Sequence, residues 1–105
     1  LSPNKDDREL YKKTMDEWGI QIQGIVFMEE CAEATQAMSK VLRDIHVDRG
    51  YILHTNNLIE EIADVIIMAE QILHGYLLEV DDEALVKYNR LRKEKLDKVR
   101  KWLNG

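Results

Sequence analysis

The sequence predicts an all-α protein folded as a four-helix antiparallel bundle, and three observations carry that expectation. Apolar residues recur at helical spacing through most of the chain, with no stretch of the strict alternation that marks a half-buried strand. The 105 residues include one proline and five glycines, so helix breakers are few. The segments that interrupt the period are short, and short connections make neighbouring helices antiparallel.

Ser2 and Pro3 read as a cap followed by proline in the first turn, opening a helix that runs toward Trp18. Gly19 ends, bends or interrupts it. A second helix is expected from about Ile20 to Ile45, with Ile22, Ile25, Val26, Met28, Ala32, Met38 and Val41 among its apolar positions. The stretch from His46 to Asn56 holds Gly50 and two histidines, loses the period and reads as a loop. Asn57 stands three residues before Glu60, a capping arrangement for the third helix. From Leu58 to Leu77 that helix is apolar on most sides, as a buried helix is. Gly75 and the Glu79-Val80 stretch mark a connection. Asp81, Asp82 and Glu83 then place negative charge at the start of a fourth helix, which carries Leu85, Tyr88, Leu91, Leu96, Val99 and Leu103.

Composition narrows the function classes. A hydrophobic fraction of 45% and a charged fraction of 33% suit one globular domain spanning residues 1–105. No apolar run approaches the roughly 20 residues that span a bilayer, and the amino end lacks a signal-peptide pattern. The lone Cys31 has no internal disulfide partner, which fits a reducing cytoplasm, and its acidic neighbours disfavour a thiolate. A net charge of −5 argues against a nucleic-acid partner. The Lys and Arg residues between Lys87 and Lys101 are interrupted by Glu94 and Asp97 and read first as a solvated helix face.

Chemistry concentrates in two acidic clusters, Glu29-Glu30-Cys31-Ala32-Glu33 and Glu60-Glu61-Ile62-Ala63-Asp64. Each lies within a mostly apolar helical run, where carboxylates are scarce. Residues three apart share a helix face, so Glu30 projects with Glu33 and Glu61 with Asp64. If the two helices pair, four carboxylates meet. At about 4 Å each like-charge contact costs roughly 4 kcal/mol at an effective dielectric near 20. A cation relieves that repulsion, and hard oxygen donors without thiolate or imidazole favour Mg2+, with Mn2+ as the alternative. No His follows a Glu at the Glu-x-x-His spacing of di-iron bundles, and no Ser, Cys or His is evidently arranged as a covalent nucleophile.

With Glu29, Glu30 and Glu33, a spacer covering positions 34–60, and then Glu61 and Asp64, the chain resembles the MazG-like all-α NTP pyrophosphatases. Trp18-Gly19, Gln23 and the run Asn57-Leu58-Ile59-Glu60-Glu61-Ile62-Ala63-Asp64-Val65 extend the likeness over roughly residues 15–72. Ile67-Met68 stands where the histidine-biosynthesis branch of that superfamily carries Tyr-His, which counts against that branch. The resemblance implies magnesium-dependent hydrolysis of a nucleoside triphosphate, deoxy or non-canonical, between its α- and β-phosphates, yielding monophosphate and pyrophosphate. It implies Glu30, Glu33, Glu61 and Asp64 as metal ligands, with Glu29 and Glu60 in supporting positions. Without a side-chain nucleophile, attack by metal-bound water is the simplest mechanism, with Glu30 or Glu33 orienting the water or accepting its proton.

Phosphates also need positive donors. Lys40 and Arg43 follow Glu33 on the same helix, and Lys87 and Arg90 sit three apart on the fourth. Trp18 offers a ring for a nucleobase. One face of the third helix is hard to bury in a single chain, so a homodimer or homotetramer with sites near the interface is expected. The rival class is a non-catalytic helical module that binds nucleotide or protein through the same fold.

Overall fold

The computed structural model describes residues 3–47 and 51–105, and side chains over 3–47 and 54–105. Among the described residues there are three long helices and no strand. Helix α1 is Lys5–His46, α2 is Tyr51–Ile72 and α3 is Ala84–Asn104. A π-helical turn, Leu73–Leu77, and a three-residue helical turn, Leu78–Val80, prolong α2.

The all-α expectation holds, but the helix count and two boundaries change. The expected first and second helices form one run, broken at Gly19, whose φ of 79° and ψ of 162° leave the helical region. A left-handed backbone suits glycine, and the helix resumes immediately beyond it. Asn4 caps α1, its Oδ1 accepting from the Asp7 amide at 2.8 Å; the Ser2 cap lies outside the described residues. The stretch expected as a loop from His46 to Asn56 is largely helical. His46 ends α1, and α2 begins at Tyr51, so Asn57 is an interior residue rather than a cap. Thr55, Asn56 and Asn57 are weak helix formers, and packing against α1 overrides their preference. His54 Nδ1 pairs there with the Asp44 carboxylate, joining the end of α1 to the start of α2. Positions 48–50 lie outside the described residues.

Side-chain pairings give the direction of packing. Asp44 meets His54, Glu33 neighbours Glu61, and Glu30 neighbours Asp64. The Thr14 hydroxyl donates to Gln71 Oε1 at 2.9 Å, and the Tyr11 hydroxyl donates to Glu70 Oε2 at 2.5 Å. Position numbers fall along α1 as they rise along α2, so the helices are antiparallel. The buried residues follow this seam: Ala37 and Val41 toward one end, Tyr11, Met15, Gln23 and Met68 toward the other. Burial and the Glu70 carboxylate hold the Tyr11 hydroxyl protonated, pushed up to about 12.

The glycine within the π-helical turn has a steric reason. A Cβ on Gly75 would stand 2.7 Å from the Tyr11 carbonyl oxygen and 3.4 Å from Met15 Cβ. Only a residue without a side chain lets α2's extension approach the α1 backbone so closely.

Helix α3 does not close a bundle within one chain. It has no buried residue and packs to any extent only against Leu73–Leu77. Its apolar residues Val86, Tyr88, Leu91, Val99, Trp102 and Leu103 are exposed. The radius of gyration is 16.8 Å, against about 13 Å for a compact chain of this length. The accessible surface is 8309 Å², where a folded monomer of 12.3 kDa has about 6100 Å². Among the residues whose side chains are described, no large side chain is wholly buried.

Candidate metal centre

The α1–α2 seam brings the two acidic clusters together. One carboxylate oxygen each from Glu30, Glu33 and Glu61 lie within 4.8 Å of one another. Helical spacing stacks Glu30 under Glu33, and the antiparallel partner sets Glu61 opposite them. Asp64 is close enough to act directly on both Glu30 and Glu61. All four residues expected from the sequence as ligands therefore share one locality. Glu29 is exposed and adds its negative field to Glu30, while Glu60 is exposed on α2.

Electrostatics mark this locality as short of positive charge. Partial burial, then Glu33 and Asp64, push the Glu30 carboxyl above the usual range. Burial, then Glu33, do the same to Glu61. Oε2 of Glu30 and Oε2 of Glu61 are both buried without a hydrogen-bond donor. Buried carboxylate oxygens ordinarily have a partner. A set of hard oxygen donors with two such orphans fits a small divalent cation, which keeps part of its water shell and shares phosphate oxygens. Glu30, Glu33, Glu61 and Asp64 are the residues that would hold it.

These shifts have a testable sign. A carboxyl raised in the folded state binds its proton more readily there than in the unfolded chain. Without metal, both groups therefore add stability as pH falls from their raised folded values toward the ordinary 4.5. His74 opposes them below 6.5, since burial lowers its pKa and acid must charge it. Comparison with Glu61→Gln removes that background. In chelator, the melting temperature of the wild type should gain on Glu61→Gln as pH drops from 7 toward 5. Magnesium at about 100 times its dissociation constant should add roughly 2.7 kcal/mol to the wild type and much less to the variant. Parallel melting curves in both conditions would take Glu61 out of the centre.

The remaining residues expected from the sequence are distributed around the centre. Lys40 is exposed on α1, and Arg43 lines an apolar groove of about 1010 Å³ together with Met38, Leu42, Leu58 and Ile62. Lys87 pairs with Asp81 at 2.8 Å, and Arg90 lies 4.0 Å from Glu94. Both stand on α3, which a single chain does not bring to the carboxylates. Trp18 is 53% exposed and borders a cleft of about 380 Å³ with Thr14, Ile22, Gln23, Val26, Met68 and Gln71. Val26 lies one turn before Glu30 and Met68 one turn after Asp64, so the cleft adjoins the carboxylates along the same seam.

Three polar features of the seam had no sequence signal strong enough to place them. The Thr14–Gln71 and Tyr11–Glu70 hydrogen bonds join residues 57 and 59 positions apart. Gln23, singled out above only as part of the family likeness, is the one buried polar residue of α1, at 5% exposure, a burial that no local pattern announces. Compared with family models, curated proteins and solved structures, the chain finds no match.

Proposed function

We propose that the chain is a magnesium-dependent nucleoside triphosphate pyrophosphohydrolase, releasing pyrophosphate and a nucleoside monophosphate. The observation that carries this reading is the convergence of Glu30, Glu33 and Glu61 oxygens within 4.8 Å, with buried oxygens of Glu30 and Glu61 lacking donors. The sequence pattern of the two acidic clusters points the same way. A divalent cation held there would neutralise phosphate charge and align a water for attack. The protein's own part is to fix that geometry. Glu61 and Asp64 would hold the cation, while Glu30 and Glu33 would hold it and orient the water or take its proton. The adjoining cleft, with Trp18 on its rim and the amides of Gln23 and Gln71 along it, supplies a stacking face and polar edges of the kind a nucleobase needs. Deoxy or non-canonical triphosphates remain the substrate class, in a cytoplasmic setting and without a nucleic-acid partner. The bundle is completed between copies, as a homodimer or a homotetramer.

The test is a product assay. With magnesium and a panel of deoxynucleoside and modified triphosphates, monophosphate and pyrophosphate should appear in equal amounts. In oxygen-18 water, label in the monophosphate identifies attack at the α-phosphorus, the expected position. Inorganic phosphate with a diphosphate product would refute this reaction class. Binding of the triphosphate without turnover of any member of the panel would favour a nucleotide-binding module instead.

A further inference from the structure

Charge is divided unevenly along this chain. Helix α3 holds eight of the fifteen Lys and Arg residues and two of the twenty Asp and Glu, a net of +6. Residues 1–83 hold the other seven and eighteen, a net of −11. The basic helix is also the unburied one. At 100° per residue, Tyr88, Leu91, Leu96, Val99, Trp102 and Leu103 fall within an arc of about 140°, and all six are exposed. Arg92 and Lys95 fall inside the same arc. Neither has an ion pair among the described residues, whereas Lys87, Arg90, Lys93 and Arg100 pair within α3 or with Asp81.

A stripe with two cations at its centre selects its partner surface. In the apolar groove near Met38 and Ile62 the lining carboxylate, Asp44, is already paired with His54, so Arg92 and Lys95 would be desolvated there with little anionic compensation. The carboxylate side of the α1–α2 pair offers the needed mixture. Glu29, Glu33, Glu60 and Asp64 are exposed there beside Ile22 and Ile67. Length matches as well: α3 is 21 residues and α2 is 22, each about 32 Å long. Among the described residues α3 packs to any extent only against the Leu73–Leu77 turn, so a second copy is the occupant that brings both the basic stripe and an equal acidic surface. Such a contact is isologous and occurs twice in a dimer, doubling the buried area.

We propose that α3 of one copy lies across the carboxylate side of the α1–α2 pair of a second copy, where Arg92 and Lys95 complete the acidic centre in trans. The docking rests on shape and charge alone. The role of the two cations as phosphate contacts rests on the function proposed above. Phosphate oxygens shared between a divalent cation and Arg or Lys are a recurring arrangement for charge neutralisation.

Light scattering and a mixing experiment test the two parts separately. The wild type should be a dimer, or a tetramer built from such dimers. The double variant Leu96→Asp, Val99→Asp should lose that pairing with unchanged helical circular dichroism, because both positions are exposed in the single chain. A monomeric wild type, or a double variant that still pairs, overturns the docking. For the site, binding of pyrophosphate in magnesium is measured by calorimetry. Glu33→Gln and the pair Arg92→Ala, Lys95→Ala should each abolish it. Mixed after reversible dissociation, the two defective chains should recover about a quarter of the wild-type sites, since half the dimers are mixed and each holds one intact centre. No recovery overturns the trans arrangement. A dimeric wild type that binds no pyrophosphate overturns the phosphate role and the proposed function, and leaves the docking standing.

Discussion

Glu33→Gln is expected to lower turnover of a nucleoside triphosphate about 100- to 1000-fold at saturating magnesium and substrate, the range for removing a group that acts on the chemical step. The neutral amide keeps the shape and removes the charge that holds the cation or takes the proton. Glu33 is exposed and neighbours Glu61, so its replacement opens no cavity and relieves a like-charge contact. The metal-free variant should therefore melt at or above the wild-type temperature while its kcat collapses. That opposition of stability and activity separates a role in the centre from simple damage to the fold. A kcat within about threefold of wild type would remove Glu33 from the chemistry.

The second large effect lies in the scaffold. Gly75→Ala should destabilise the protein by about 2 kcal/mol, near the middle of the range for overpacking. The new methyl meets a backbone carbonyl, Tyr11 O at 2.7 Å, which no rotamer change relieves. Part of the damage is offset by alanine's better helix propensity, up to about 1 kcal/mol. Gly24→Ala is the matched control, since a Cβ there meets nothing within 4 Å and φ is not in the left-handed region. It should gain roughly 0.5–1 kcal/mol. Melting temperatures that move in opposite directions bear this out; a Gly75→Ala protein as stable as the wild type contradicts the close approach.

The carboxylate centre was legible because its signal is local. A three-residue spacing fixes which side chains share a helix face, and acid within apolar runs marks an unusual surface. The pairing of Glu30 and Glu33 with Glu61 and Asp64 needed only the further assumption that the two helices pack. Helix type was legible for the same reason. What failed depended on partners far away in sequence. The stretch from His46 to Asn56 reads as a loop because it loses the apolar period and holds Gly50, and Asn57 reads as a cap; the packing against α1 that makes 51–57 helical leaves no local mark. Periodicity showed that α3 has an apolar face, but a period does not name the surface that covers it. Lys87 and Arg90 stand on that helix, and within one chain it does not reach the carboxylates. Tyr11 and Glu70 each looked ordinary, and only the fold makes them a pair.

The break at Gly19 bears on how the chain folds and opens. A helix of 42 residues would normally nucleate once and propagate from end to end, but the hydrogen-bond ladder cannot pass smoothly through a residue at φ 79°. Residues 5–18 therefore nucleate for themselves. Fourteen residues are marginal as an isolated helix in water, so their persistence is borrowed from contacts with the chain beyond position 69: Tyr11 with Glu70, Thr14 with Gln71, and Lys12 with Glu79. The amino-terminal arm and residues 70–79 should therefore open together, as one end of the seam, separately from the stretch that carries the carboxylates. Amide protons of residues 5–18 and 70–79 are expected to share one exchange regime in a hydrogen-exchange measurement, set by the loss of their mutual contacts. Those around Glu30 and Glu61 are expected to follow another.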